Sequence, residues 1–135
     1  MLKIYTSFVS PITFKMFLDK NILPIFMIRS IWNSSLIGKY EGTCIHFKDL
    51  APSTDLYRSI RDRKISEGEF MGKFAEELME RIEPKKILER IEYLASLCET
   101  QEVVLLGFGT KDPLKQREIV AKILGDDIEE WDYGW

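Results

Sequence analysis

Histidine and cysteine are scarce in this sequence, and their scarcity excludes several kinds of catalytic site. Among 135 residues, His46 is the single histidine, and Cys44 and Cys98 are the two cysteines. A Ser-His-Asp hydrolase needs a histidine beside its nucleophile, and an HExxH metalloprotease needs two histidines on one helix. Neither an HExxH motif nor a nucleophile elbow occurs. We therefore predict neither class, and we expect no metal ion and no cofactor.

The cysteines form no CxxC motif, and we expect both to be reduced thiols. Cys44 falls in a short predicted strand and Cys98 on the apolar side of a predicted helix. Buried, reduced cysteines are typical of cytosolic proteins. No signal-peptide pattern opens the sequence, and the longest apolar run, residues 22–28, is too short to cross a bilayer. A cytoplasmic protein without a membrane partner is the expectation.

An excess of positive charge is also missing. The chain has 22 acidic residues against 19 lysines and arginines, a formal net charge of −3. This balance disfavours a protein that wraps nucleic acid through a broad basic surface. Linkers, internal repeats and low-complexity tracts are absent. We predict one domain over residues 1–125 and an acidic, aromatic tail over residues 126–135, and no oligomeric state is predicted.

Apolar runs of strand length recur along the chain. Residues 2–7 and 44–47 read as strands, and residues 22–30 and 102–109 are apolar almost throughout. Continuous apolar runs are typical of parallel strands that are buried on both faces.

Helix-start signals stand between these strands. Ser66 is followed by Glu69 as a capping box, and Ser53 and Pro84 open further helices. Met79 and Cys98 fall within the predicted apolar faces, whereas Glu76 and Glu77 are predicted to face solvent. The alternation of strands and helices predicts a three-layer α/β fold, Rossmann-like, with a mostly parallel sheet covered by helices on both faces.

Ligands of open parallel sheets bind beyond the carboxyl ends of the strands. Here Thr6 and Ser7 end the first strand, and residues 29–32 end the second. Arg29 has two interpretations, because a guanidinium at the end of a buried strand needs a partner. It either forms a structural ion pair, with Asp49 or Asp55 as candidates, or it contacts an anionic ligand.

Residues 107–112, GFGTKD, follow the last long strand. Gly107 and Gly109 would let a ligand approach the backbone, and the start of the next helix would favour an anion. The loop matches neither a P-loop nor GxGxxG, and Asp112 would cap the helix and occupy part of such a site. Asp112 is also the best of the weak candidates for a general base.

Several of these segments resemble domain of unknown function family 488, found in bacteria and archaea. The similarity covers roughly residues 1–125. The segments that carry it are Lys3–Ser7, Arg29 with Trp32, Leu50-Ala51-Pro52-Ser53, Leu105–Asp112 and Arg117–Val120.

The resemblance brings no reaction with it, and one family motif is incomplete here. Members typically carry Cys-His-Arg at the start of the last helix and an acidic residue in the loop before it. This chain has Lys115-Gln116-Arg117 and Gly109 at those places. A thiolate–imidazole mechanism or a Cys/His metal site is therefore not implied. The two arginines that match, Arg29 and Arg117, fit anion recognition, since arginine keeps its proton.

Three functions follow as hypotheses, and whether the protein is an enzyme is left open. The first is binding of a phosphate-bearing small molecule, a nucleotide or a nucleic-acid end at the carboxyl edge of the sheet. The second is a non-catalytic protein-interaction module that uses the aromatic tail or residues 36–40. The third is nucleic-acid binding through Arg58, Arg61, Arg63 and Lys64, which net charge does not favour. The predicted ligand contacts of the first hypothesis are Ser7, Arg29, Ser30, Trp32, Gly109, Thr110, Lys111 and Arg117.

Overall fold

The computed structural model describes residues 2–8, 11–27, 45–107 and 116–133. Within these ranges it contains five strands, five α-helices and one 3-10 turn. The strands are β1 (Lys3–Phe8), β2 (Leu23–Phe26), β3 (Ile45–His46), β4 (Glu102–Gly107) and β5 (Glu129–Glu130). The helices are α1 (Pro11–Asp19), α2 (Thr54–Arg61), α3 (Glu67–Arg81), α4 (Pro84–Leu97) and α5 (Gln116–Leu124), and Lys48–Leu50 form a 3-10 turn.

The strands form one parallel sheet in the order β3-β2-β4-β1-β5. The two strands predicted from continuous apolar runs, β2 and β4, are neighbours in its interior, where neither has a free edge. The α/β fold and the parallel sheet are thus confirmed. The predicted second strand extended to residue 30, whereas β2 ends at Phe26 and residues 28–30 lie outside the described ranges.

Side chains alternate across the sheet and build two hydrophobic cores. Ile25, Val103 and Leu105 face a core that contains buried residues of α2, α3, α4 and α5. Phe26 and Leu106 face the opposite core, which α1 and the C-terminal segment cover. Helices therefore lie on both faces, as the three-layer prediction required.

Capping residues set the helix boundaries where the sequence predicted them. The Ser53 hydroxyl accepts a hydrogen bond from the Leu56 N–H at the start of α2. Ser66 and Glu69 form a complete capping box on α3. Pro84 occupies the first turn of α4, where a missing N–H costs nothing.

Two residues predicted to lie in the core are exposed. Met79 follows buried Leu78, so one step of about 100° around the helix turns it away from the sheet, and it is 72% exposed. Cys98 comes after the last helical residue of α4 and is exposed, because the chain has already left the core-facing turn. The prediction of a buried thiol at Cys98 is wrong, and Cys44 lies outside the described residues.

Glu77 was predicted to face solvent, and this prediction is also wrong. Its carboxylate accepts hydrogen bonds from the Ser53 N–H (2.9 Å) and the Ser53 hydroxyl, and it pairs with Arg81 at 3.4 Å. Arg81 in turn donates to the carbonyl oxygens of Asp49 (2.9 Å) and Ala51 (2.7 Å). This network holds the 3-10 turn and the start of α2 against α3. Glu76, its neighbour, is exposed as predicted.

The C-terminal segment joins the body of the protein. β5 pairs with β1, and the Trp131 N–H donates to the Thr6 carbonyl at 2.8 Å. The Trp131 ring meets Tyr5 and Phe17 edge-on, with centroid distances of 4.8 and 5.3 Å. Trp131 and Tyr133 of the aromatic tail thus dock on the protein's own body. The boundary at residue 125 stays a prediction, and none of the described helices has the length and apolar character needed to cross a membrane.

Candidate functional site

The strand registers align one edge of the sheet. Ser7 is level with Leu106, which is level with Phe26, which is level with His46. Because all the strands are parallel, these levels mark their common carboxyl edge. The described strand ends there are Phe8, Phe26, His46 and Gly107, and the C-terminal residues after β5 lie at the same edge.

Arg117 lies over the end of β4. Its side chain is 13% exposed, and its Cγ atom would be only 3.0 Å from a Cβ atom placed on Gly107. The same added atom would lie 3.1 Å from the Gln116 side-chain oxygen. Position 107 therefore needs a residue without a side chain if Arg117 is to pack so close to the strand. Ser7 and Arg117, both predicted ligand contacts, are at the same edge of the sheet.

Glu130 is the acidic partner of Arg117. The Arg117 Nη1 atom is 2.8 Å from Glu130 Oε1, and the Thr6 hydroxyl donates to Glu130 Oε2 at 3.1 Å. The pairing of β1 with β5 places Thr6 and Glu130 side by side. The Glu130 side chain is 51% exposed, so the acidic partner of this ion pair contacts solvent while the Arg117 side chain is largely buried.

A pair of hydroxyl groups lies on the other face of the sheet. The buried Ser7 hydroxyl is hydrogen-bonded to the Tyr133 hydroxyl, and the Tyr133 ring packs against Phe8 with centroids 5.4 Å apart. Burial raises the pKa of Tyr133, and the Ser7 hydrogen bond opposes this rise. The negative charge of Glu130 raises the pKa further, while Arg117 lowers it. At neutral pH this phenol is a protonated hydrogen-bonding group, and it is a poor base.

Gln116 anchors the beginning of the segment that carries Arg29. Its side-chain amide is buried and donates to the Met27 carbonyl at 2.7 Å and the Leu50 carbonyl at 3.1 Å. These bonds tie α5 to the end of β2 and to the 3-10 turn. The role of the Gln116 side chain is therefore to position backbone.

A cavity runs beside this cluster. It has a volume of about 450 Å³ and lies between α5 and β5, with Thr6 and Glu130 in its wall. Glu118, Lys122 and Asp126 contribute the remaining charges. Within the described ranges no group of three or more histidine, cysteine, aspartate or glutamate residues is arranged to hold a metal ion.

The basic residues predicted as a nucleic-acid patch lie at the end of α2. Arg58, Arg61, Arg63 and Lys64 are all exposed. Asp62 stands among them: its carboxylate pairs with the Arg61 Nε at 3.1 Å, and this hydrogen bond is the main cause that lowers the Asp62 pKa. Positive charge at this end of the helix is therefore partly neutralised.

Sequence reasoning missed Glu130, Tyr133 and Gln116 as residues of the edge. A two-residue strand of glutamates has no apolar alternation, so no periodicity predicts β5. Nothing in a lone glutamine indicates which carbonyl groups it will bind. Six of the predicted ligand contacts lie outside the described residues: Arg29, Ser30, Trp32, Gly109, Thr110 and Lys111. Asp112 and residues 36–40 also lie outside them.

Comparison with known proteins gives a family match. A family model described as the active DUF488-N3 subclade matches residues 29–127, well over half of the chain. The match includes α5 with Arg117, and it includes Arg29 at its first position. No curated protein and no solved structure matches the chain at a significant level.

Proposed function

The chain belongs to the DUF488 family, and from this membership and the geometry of the sheet edge we propose that it binds a phosphate-bearing ligand at the carboxyl ends of β1 and β4. The ligand class is a phosphorylated small molecule, a nucleotide or a nucleic-acid end. The observation that carries the proposal is Arg117, a permanently charged side chain packed over the last residue of β4 and only 13% exposed. Parallel sheets bind their ligands at this edge.

The remaining contacts of the proposed site come from the sequence prediction. Arg29 comes two residues after Met27, whose carbonyl accepts a hydrogen bond from the Gln116 side chain, so the chain is anchored just before residue 28. The glycine-containing residues 108–111 follow Gly107 in the sequence, and Arg117 packs over Gly107. Ser7 adds a neutral hydroxyl if the ligand displaces Tyr133, to which that hydroxyl is hydrogen-bonded. The proposed contacts are thus Ser7, Arg29, Ser30, Trp32, Gly109, Thr110, Lys111 and Arg117.

The ion pair with Glu130 makes ligand binding a competition. A phosphate that contacts Arg117 must share the guanidinium with Glu130 or displace it. Displacement is favoured because Glu130 is half exposed and regains hydration when it turns into solvent. A phosphate also has more acceptor oxygens than a carboxylate and a higher charge. Glu130 is then a built-in competitor that sets the affinity of the site.

A thermal-shift panel of phosphates and nucleotides tests this proposal. Ligands that carry phosphate should raise the melting temperature of the wild type. Arg117→Gln should abolish the shift, and Glu130→Gln should increase it, because the competing charge is gone. Arg61→Gln is the matched control: it removes the same charge from an exposed position at the end of α2 and should leave the shift unchanged.

Two results would refute the proposal. One is a panel in which no phosphate-bearing compound shifts the wild type. The other is an Arg117→Gln variant that is folded and responds as the wild type does. The word active in the description of the matching subclade favours a working site over a module that has lost one. The docking of Trp131 and Tyr133 on the protein's own body points the same way, since it uses the aromatic surface that a partner would need.

A second candidate function rests on the exposed cluster at the end of α2. Arg58, Arg63 and Lys64 are exposed there, and Arg61 shares its charge with Asp62. If this surface binds nucleic acid, affinity should fall steeply with salt, because each phosphate contact releases counterions. A filter-binding titration of single-stranded DNA at two salt concentrations measures this slope. Binding that is absent, or that survives in an Arg58→Gln, Arg61→Gln double variant, would rule this candidate out.

A further inference from the structure

A second cavity lies at the carboxyl edge, at the β3 end of the sheet. It has a volume of about 240 Å³ and is lined by His46, Phe47, Lys48, Asp49, Ile87 and Arg90. His46 is the last residue of β3, Lys48 and Asp49 belong to the 3-10 turn, and Ile87 and Arg90 lie in the first two turns of α4. In the strand order β3 is three positions from β1. With about 4.8 Å between neighbouring strands, the two strand ends are about 14 Å apart.

The lining of this cavity is basic. Among the described lining residues, Arg90 and Lys48 carry positive charge and Asp49 carries negative charge. The guanidinium carbon of Arg90 stacks 4.6 Å from the centre of the Phe47 ring, and Phe47 is only 3% exposed. Such stacking uses the flat face of a guanidinium, while hydrogen bonding to an anion uses its edge. The buried Phe47 ring therefore positions the Arg90 guanidinium and does not use its N–H groups as hydrogen-bond donors.

His46 contributes a different kind of donor. Burial lowers its pKa, and the positive charge of Lys48 lowers it further. At neutral pH the imidazole is therefore mostly neutral and carries one N–H donor. The cavity thus offers a guanidinium fork, an ammonium group and an imidazole, with Ile87 as an apolar wall.

We propose that this cavity binds the phosphate group of a phosphomonoester, with Arg90 as the bidentate contact, Lys48 as the second positive charge and His46 as the neutral donor. Three donors of different geometry fit the several acceptor oxygens of a phosphate better than the two of a carboxylate. The phosphomonoester is either a small nucleotide or the phosphorylated terminus of a nucleic acid. This site does not depend on Arg117, and its test is separate from that of the first site.

The single histidine of the chain makes the test direct. Only His46 gives an imidazole signal in the NMR spectrum of the wild type. The wild type is titrated with a nucleoside monophosphate and, separately, with a terminally phosphorylated oligonucleotide. We expect both to shift the His46 signals and to raise the His46 pKa, because a nearby anion stabilises the imidazolium form. A markedly lower half-saturating concentration for the oligonucleotide identifies a nucleic-acid terminus as the source, and equal values identify the small nucleotide.

Substitutions at four positions test whether the phosphate binds in this cavity and through these side chains. Arg90→Gln should raise the half-saturating concentration about tenfold or more, whereas Lys15→Gln and Lys73→Gln, at exposed positions of α1 and α3, should leave it unchanged. Lys48→Gln, at an exposed position, should raise it by a smaller factor, and it carries the test if Arg90→Gln does not fold. The proposal is overturned if saturating phosphomonoester leaves the His46 signals in place. It is equally overturned if a folded Arg90→Gln variant has the same half-saturating concentration as the wild type. If Arg90→Gln does not fold, the same result for Lys48→Gln overturns it.

Discussion

At the scale of single residues, neighbours of the same type have different roles in this protein. Glu76 and Glu77 are adjacent and chemically identical, and sequence reasoning treats them alike. In the structure Glu76 is exposed, while Glu77 receives two hydrogen bonds from Ser53 and pairs with Arg81. The difference arises because Ser53, just before α2, contacts α3 at position 77 and not at position 76.

This contrast gives a stability prediction with an internal control. Glu77→Ala should lower the free energy of unfolding by about 1–3 kcal/mol, since hydrogen bonds to a charged group are lost and the Ser53 donors are left without their acceptor. Glu76→Ala should change it by less than about 0.5 kcal/mol, as for other exposed positions. Urea unfolding of both variants measures the difference. Equal effects of the two substitutions would show that the network with Ser53 and Arg81 does not stabilise the fold.

The Tyr133 hydroxyl predicts a dependence of stability on alkaline pH. Burial is the largest cause that raises its pKa in the folded protein. A group whose pKa is raised by folding contributes stability that is complete below its ordinary pKa, about 10 for tyrosine, and is lost as the pH rises through the raised value. The stability advantage of the wild type over Tyr133→Phe should therefore be constant near neutral pH and should shrink above about pH 10. A stability advantage that stays constant or grows above about pH 10 would contradict a raised pKa of Tyr133 in the folded protein.

At the scale of elements, β5 is short, but it is the edge strand next to β1 and borders the candidate site. Its two glutamates pair with β1, and the residues that follow it cover the α1 face of the sheet. Its position next to β1 brings Glu130 to Arg117 and Tyr133 to Ser7. Both predicted ligand contacts among the described residues are thus bound by side chains from the last ten residues of the chain.

The packing of Trp131 holds this segment in place. Trp131→Ala removes the edge-on contacts with Tyr5 and Phe17, and it should cost about 2–3 kcal/mol, below the 3–5 kcal/mol typical of fully buried aromatic residues because Trp131 is half-buried. Tyr93→Ala, at a residue that is 62% exposed on α4, is the control and should have little effect. Thermal unfolding of both variants compares them. If Trp131→Ala were as stable as the wild type, the C-terminal segment would not be part of the folded body.

At the scale of the whole molecule, the sequence predicts the framework well and misses several contacts at the carboxyl edge of the sheet. Continuous apolar runs identified β2 and β4 as interior strands, and the caps at Ser53 and Ser66 identified helix starts, because burial and capping leave local patterns. The pairing of Glu130 with Arg117 leaves no such pattern. It depends on a parallel register between residues more than a hundred positions apart, and a two-residue polar strand gives no periodicity from which to read that register.

We propose that Arg117 and Arg29 contact the same phosphate at the carboxyl edge of the sheet. A double-mutant cycle measures this directly. The ligand is a phosphate-bearing compound selected by the thermal-shift panel. Calorimetric titration measures its affinity for the wild type, Arg29→Gln, Arg117→Gln and the double variant. Each single substitution should weaken binding about tenfold or more, as for loss of a charged hydrogen bond. The double variant should lose less than the product of the two losses, because residues that contact the same group are coupled. Unchanged affinity in Arg29→Gln, or losses that simply multiply, would contradict a shared site.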